Sequence, residues 1–256
     1  MLTYGQSTFA IVLSIVAALL LVALLNHFWP VEERKISNEV NAWQLGVLGT
    51  TYGVILGFML FTVWTDFHAA GIDVALETTS LINVHRIANG LPSPQRETMG
   101  HLAIQYAQTV MQQEWPAMQN QRENHAGQAV LQQMWQAATS VQTRTPEQVN
   151  SLNHLMTAIS NLGERRQMRM EEHESRVPTL LWVLLIVGAI ATIVSACLLG
   201  NDKRWLHYCQ VVALTFVIVV TLAAIADLAR PFEGAVAIHP TALERALIMM
   251  QPNALP

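Results

Sequence analysis

Residues 45–64 read LGVLGTTYGVILGFMLFTVW. The stretch holds no charged side chain and is about as long as the ~20 residues a helix needs to cross a bilayer core. Phe9–Trp29, Leu180–Leu199 and Val211–Leu228 are of the same kind. None of the four carries Lys, Arg or Glu, and Asp227, at the end of the last, is their one acidic residue. Backbone polar groups cannot stay unpaired in lipid, so apolar runs of this length must be helices. The fold class is therefore all-α, with four transmembrane helices arranged as two hairpins.

Short charged loops close each hairpin. Glu32, Glu33, Arg34, Lys35 and Glu39 lie between spans one and two, and Asn201-Asp202-Lys203-Arg204 between spans three and four. From 65 to 177 the chain is polar, rich in Gln, Glu, Arg and Met, and reads as helical throughout. This gives a first hairpin over 1–66, a helical extramembrane domain over 67–177, a second hairpin over 178–229 and a C-terminal tail over 230–256.

The breaks in the polar block set four helices. The helix of span two runs on past Trp64 through Val74, Leu76, Leu81, Val84 and Ile87, and stops at Asn89-Gly90-Leu91-Pro92. Gly at a helix end with Pro soon after is a stop signal. From Leu45 to Asn89 such a helix is ~67 Å long. Ser93-Pro94 is an N-cap and first-turn pair. It opens a helix with Met99, Leu102, Ala103, Tyr106 and Val110 at 3/4 spacing, which is expected to end near Trp115-Pro116. A third helix carries Val130, Leu131, Met134, Trp135 and Ala138. The fourth opens at Thr145-Pro146-Glu147-Gln148, a capping box. It places Val149, Leu152, Leu155, Ile159 and Leu162 on one face, the pattern of a packed bundle, and runs on through Glu171 to Arg176.

Composition fits the class. Hydrophobic residues make up 52% of the chain and charged ones 12%, half the usual soluble share. The net charge of -4 shows no basic excess of the kind that binds nucleic acid. Cys197 and Cys209 lie in or beside spans, so no disulfide framework is expected. Span one has no basic residue before it, a long apolar run and no small-x-small site after it, and it reads as a retained anchor. For orientation, Arg34, Lys35, Lys203 and Arg204 in the short loops point those loops to the cytoplasm. Arg165, Arg166, Arg169, Arg176, Arg230 and Arg245 flank the other side, so the side holding the 67–177 domain stays open.

Inside the membrane the most specific feature is Gly49-x-x-x-Gly53-x-x-x-Gly57, with Thr50, Thr51 and Tyr52 around it. Small residues at this spacing make a flat ridge that another helix approaches closely. The ridge reads either as packing within the chain or as close packing of identical helices around a symmetry axis. Span three offers a weaker seam at Gly188, Thr192, Ser195 and Ala196, and span one is so uniformly aliphatic that it faces lipid. Charges at the bilayer edge are functional candidates because burying them is costly. They are Asp66 with His68, and Asp227 with Arg230, the latter three apart and so on one helix face. Each pair reads as a boundary anchor or as a charged ring at a pore mouth. Pro231-Phe232-x-Gly234 then breaks the helix and turns the chain back along the surface.

Other chemistry finds little support. The nine histidines are scattered without ligand spacing, so no metal or cofactor is expected. The sequence has no Gly-x-Ser-x-Gly, no phosphate-binding Gly-rich loop and no His-Glu-x-x-His. Glu77 and Glu114, on extramembrane helices without an evident partner, read as solvated or capping carboxylates.

Three stretches resemble the bacterial bestrophin-like proteins, also described as a domain of unknown function. One is Gly-x-x-Tyr-Gly-x-x-x-Gly-Phe from Gly49 to Phe58, continued by Trp64 and Glu77. Another is Leu91-Pro92-x-Pro94 with Tyr106 and Glu114-Trp115-Pro116. The last is Asp227-x-x-Arg230-Pro231-Phe232-x-Gly234. The resemblance implies kinship with bestrophins, pentameric anion channels with two membrane hairpins around a large cytosolic helical domain. The Phe-rich neck of true bestrophins has no counterpart here, since Phe58 and Phe61 are the only phenylalanines of span two. The expectation is a homo-oligomeric ion channel of the bacterial inner membrane, with span two lining the pore. Its partners would be further copies of the chain, the bilayer and inorganic ions, and anion selectivity follows from the resemblance alone. The rival expectation is a non-conducting membrane sensor or scaffold whose helical bundle binds a partner. An enzyme is not expected.

Overall fold

The computed structural model describes residues 4–174, 177–234 and 236–251. Among them every regular element is helical. The chain forms two compact units. Met1–Thr65 with Arg176–Ala229 make the first, and Asp66–Ser175 with Arg230–Pro256 the second.

The first unit contains α1 (Tyr4–Phe28), the short α2 (Val31–Ile36), the opening part of α3 (Asn38–Ile87), α8 (Thr179–Cys197) and α9 (Arg204–Leu228). All but α2 are long and apolar enough to cross a membrane. The core is thin because apolar residues also cover the outside. Tyr52, Leu56 and Val63 of α3 meet Leu185, Ala189, Ile218 and Ile225. Ala18 and Val22 of α1 meet Ala196, Cys197 and Val211. Facing outward are Phe9, Leu13, Leu20, Phe58, Phe61, Val187, Ile190 and Phe216. A helix that is apolar all round belongs in lipid rather than water. The hairpins interlock, since α1 packs on α9 and α8.

The two short loops clasp each other at one end of this unit. Asn38 donates through Nδ2 to the Gly200 carbonyl at 2.7 Å and accepts from the Gly200 N–H at 2.8 Å. Lys35 pairs with Asp202. Buried Arg34 donates to the Cys197 carbonyl at 3.2 Å and to Asn26 Oδ1. The His207 ring meets the Ala196 carbonyl at 3.1 Å. The last carbonyls of α8, which have no partner inside their own helix, are thus satisfied by side chains from two other segments.

The second unit is a bundle of the end of α3, α4 (Gln95–Thr109), α5 (Trp115–Gln119), α6 (Ala126–Thr139), α7 (Pro146–Glu174) and α10 (Thr241–Met250). Its core joins Leu81, Met99, Tyr106, Met118, Met134, Leu155, Ile159 and Leu162, completed by Phe232, Leu243 and Ala246. Residues 230–251, set apart in the sequence as a tail, therefore supply part of this core, and Phe232 is buried rather than on the surface. Leu243, Ala246 and Met250 face inward at 3/4 spacing.

Four local readings are corrected. The helix after Pro94 does not stop at Trp115-Pro116. A π turn at Val110–Glu114 shifts its register and the chain continues as α5 to Gln119. Pro116 falls in the first turn after that shift, where a missing N–H is tolerated. Ser93 does not cap α4, which starts at Gln95 with Pro94 as its N-cap residue; the Ser93 hydroxyl donates instead to Glu97 Oε1 at 2.8 Å. At α7 the Gln148 N–H donates to Thr145 Oγ1 at 3.3 Å, but the Gln148 side chain accepts from the Arg144 N–H at 2.8 Å, one residue before the expected box. Val149 is exposed, so the buried stripe of α7 begins later. The expected run to Arg176 reaches Glu174, and residues 175–176 lie outside those described.

Candidate functional site

The glycine ridge lies on α3 in the first unit. A Cβ added at Gly49, Gly53 or Gly57 meets no atom within 4 Å. Thr50 and Thr51 are exposed beside it, as are Phe58 and Phe61. Thr50, Thr62 and Thr65 turn their hydroxyls back to the carbonyls of Gly46, Phe58 and Phe61. Among the described residues the ridge thus takes no part in packing. Gly188 does that work on α8, where an added Cβ would stand 2.5 Å from the Tyr52 ring. Tyr52 crosses there and donates its hydroxyl to the Leu185 carbonyl at 2.8 Å.

Asp66 and His68 are both exposed on α3. Asp227 is half-buried near the end of α9, but Arg230 does not share its helix face, because α9 ends at Leu228. Arg230 pairs instead with Glu233 at 3.4 Å, and Glu233 also accepts from Gln121 Nε2 at 2.9 Å. The turn that follows is closed by the Ile238 N–H donating to the Pro231 carbonyl at 2.7 Å. Gly234 adopts φ 83° there, a backbone state open to glycine and strained for other residues.

The second unit holds a buried ionic quartet. Arg169 Nε donates to Glu77 Oε2 at 2.6 Å, and its Nη2 reaches Glu77 Oε1 at 3.1 Å and Glu114 Oε2 at 2.7 Å. Arg166 Nη2 donates to Glu114 Oε1 at 2.7 Å, and its Nη1 reaches Gln128 at 3.2 Å. The Gly127 N–H adds a bond to Glu114 Oε1 at 2.8 Å, and Tyr106 donates to Glu77 Oε1 at 2.7 Å. Glu77, Glu114 and Arg169 are 0% exposed. Two charges of each sign cancel, and nearly every lone pair has a donor, as buried ions require.

An aromatic lid closes over it. The Arg169 guanidinium sits 5.6 Å from the Trp115 ring centroid. Trp115 meets Phe232 edge-on at 5.7 Å and donates its indole N–H to the Ile238 carbonyl at 3.3 Å. Burial pushes the Glu114 carboxyl up, but Arg169 and Arg166 outweigh it and hold the group below the usual range. Burial likewise works against the Arg169 charge, and Glu77 more than restores it. Burial and then the Glu77 charge drive the Tyr106 phenol far up, so it stays a donor.

Neither carboxylate is solvated: Glu77 is buried against Arg169, and Glu114, also buried, caps the first turn of α6 through the Gly127 N–H as well as pairing with both arginines. Glu114 is buried at the end of the π turn, a distortion frequent at functional sites. The sequence reading missed Arg166 and Arg169, which entered it only as flanking charges. Their signal was the α7 stripe: Leu155, Ile159, Leu162, Arg166, Arg169 and His173 follow one another at 3/4 spacing and all are buried. A second acidic feature lies on the same helix. Burial, then Asp73 and Asp66, push the Glu172 carboxyl up to about 7, while Asp73 itself pairs with Arg165 at 2.8 Å.

An all-helical chain with four bilayer-length helices, apolar on the outside, is a multi-pass membrane protein. It belongs to the bestrophin-like family, whose domain matches residues 12–243. A comparison with curated proteins gives no match. Among solved structures, a variant of the bacterial bestrophin homologue from Klebsiella pneumoniae is similar with a TM-score of 0.70 at 12% identity, covering 95% of this chain and 99% of that one. Another variant of that homologue gives 0.68 at 12%, covering 97% and 100%. A structure described as a membrane protein gives 0.72 at 11%, covering 95% and 98%. At these identities the likeness establishes the fold, and the match extends over both units.

Proposed function

We propose that the protein is a homo-oligomeric ion channel of the bacterial inner membrane, with the first part of α3 lining its pore. The observation that carries this reading is the open glycine ridge. Gly49, Gly53 and Gly57 pack on nothing among the described residues of their own chain, although close helix approach is what such a seam serves. A second copy of α3 gives it a use, and kinship with bestrophins supplies the arrangement, a ring of five around an axis. Thr50 beside the ridge offers a hydroxyl oxygen to a passing ion, and exposed Asp66 and His68 set the charge at one mouth. Asp227 and Arg230 would serve as further mouth residues only in such an assembly. Anion selectivity is taken from the family, as an acidic mouth suits cations equally.

Ion flux from liposomes containing the purified protein tests this, with chloride and potassium gradients imposed separately. Selective flux that Gly53→Leu abolishes, with the variant still helical and folded, is the expected result. Folded, oligomeric protein that passes neither ion favours the non-conducting scaffold instead.

A further inference from the structure

A groove of 790 Å³ runs between α1 and α9 on the outer face of the first unit. Leu20 and Ala23 line one wall, and Tyr208, Val212, Ala213 and Phe216 the other. Its volume falls within the ~300–1,000 Å³ of ligand pockets, and its lining is almost wholly hydrocarbon.

One end of the groove is different. Arg204, Tyr208, Val212 and Phe216 recur every fourth residue, so they form one row along α9. Arg204 therefore stands a turn beyond Tyr208, where the groove ends. On α1 the row Leu20, Ala23, His27 brings an imidazole to the same end. Arg204, His27 and neighbouring Lys203 are all exposed. The nearest acid in sequence, Asp202, is taken by Lys35. Trp205 and Trp29, 67% and 36% exposed, flank this end in the manner of aromatic residues at headgroup depth.

Tyr208 joins the two parts. Its hydroxyl accepts from Asn26 Nδ2 at 3.4 Å, which leaves the phenol proton to donate. Asn26 accepts in turn from Arg34, which is 0% exposed and whose Nε has no partner among the described residues. An apolar trough in the membrane thus leads to a hydroxyl donor and two exposed cations, Arg204 and Lys203, at the interface.

We propose that this groove holds an anionic phospholipid of the surrounding bilayer. One acyl chain lies between Leu20, Ala23, Val212 and Phe216. The phosphate sits between Arg204 and Lys203 and accepts from the Tyr208 hydroxyl. Charge and polarity together favour this occupant, since an acyl chain matches the hydrocarbon lining and a phosphate matches the exposed Arg204 and Lys203 at its end. The proposal stands apart from conduction, because lipid retention is read without any flux.

Native mass spectrometry of the intact protein, extracted from mixed dioleoylphosphatidylglycerol and dioleoylphosphatidylcholine bilayers, tests it. The anionic lipid should be retained in preference. Arg204→Gln should lower that preference about fivefold, the effect of one interfacial cation, and Arg204→Lys should keep it. Ala213→Trp, or Leu20→Trp from the facing wall, should remove both lipids while thermal stability is unchanged. Equal retention of the two lipids by the native protein would overturn the proposal, as would a preference untouched by Arg204→Gln. Groove-filling variants that change subunit number but not lipid retention would assign the groove to a second copy instead.

Discussion

Arg169 grips Glu77 with two nitrogens across 92 positions of sequence, Nε at 2.6 Å and Nη2 at 3.1 Å, and one of those nitrogens also holds Glu114. α7 is thereby fixed to α3 and to the π turn through one planar group. A guanidinium suits this because its donors form a rigid fork.

Removing that group leaves two carboxylates sealed from water. Arg169→Met is expected to destabilise the second unit by about 3–5 kcal/mol, the usual cost of breaking a buried ion pair from one side. Arg169→Lys should recover little of it, because an ammonium does not span both acids. Thermal unfolding followed by circular dichroism measures both. Arg169→Met as stable as the parent would show that the quartet is replaceable by hydrocarbon.

Gly127 donates its N–H to Glu114 and leaves no room for a side chain. A Cβ would stand 2.8 Å from Glu114 Oε1. Gly127→Ala should push the carboxylate off Arg166 and cost roughly 1–3 kcal/mol, as overpacking does. Because pairing holds the Glu114 carboxyl low, that stability is present above the ordinary range near ~4.3 and is lost as pH falls through the depressed native value. The unfolding temperature of the parent should therefore drop more steeply in acid than that of Gly127→Ala.

Two glycines of the first unit should behave oppositely. Gly188→Ala drives a methyl into the Tyr52 ring, whereas Gly53→Ala meets nothing within 4 Å. The former is expected to lower the thermal transition of the detergent-solubilised protein, and the latter to leave a single chain unaffected. An effect of Gly53→Ala confined to subunit association or ion flux supports a contact between copies. Equal destabilisation by both would argue against the open ridge.

Glu172 gives a pH dependence of the opposite sign. Its raised carboxyl binds a proton in the folded chain that the unfolded chain has released, so stability falls as pH climbs from about 4.3 to about 7. Glu172→Gln should raise the unfolding temperature at pH 8 and change it little at pH 5. Matching curves for parent and variant across that range would remove the effect assigned to this group.

The membrane helices were legible because lipid allows few alternatives to a long apolar run. The bundle was legible in its apolar rows but not in its ionic centre. Glu77 follows Ala70 and Val74 on α3 at the spacing that Leu81 and Val84 continue, so its position in a buried row was visible. Its partner was not, because nothing local links residue 77 to residue 169. The same holds for Arg34, whose partners include Asn26 and a carbonyl at Cys197. Leu243, Ala246 and Met250 also had helical spacing, but a ten-residue helix is marginal by itself and depends on what it docks against. For the ridge, the sequence supplied the glycines. What they face was decided by Tyr52 and Gly188 forming the tight crossing on the other side.

The balance of the quartet bears on more than folding. Glu77, Glu114, Arg166 and Arg169 carry equal and opposite charge within a few contacts of one another. Such a cluster has no monopole, and its potential fades with distance faster than that of any single ion. Strong as these bonds are, they are electrically quiet from outside. The field that solvent ions meet at this unit is written by its exposed charges, Asp66 and His68 among them. Substitutions at the surface can therefore retune that field while the charged interior keeps the bundle as it is.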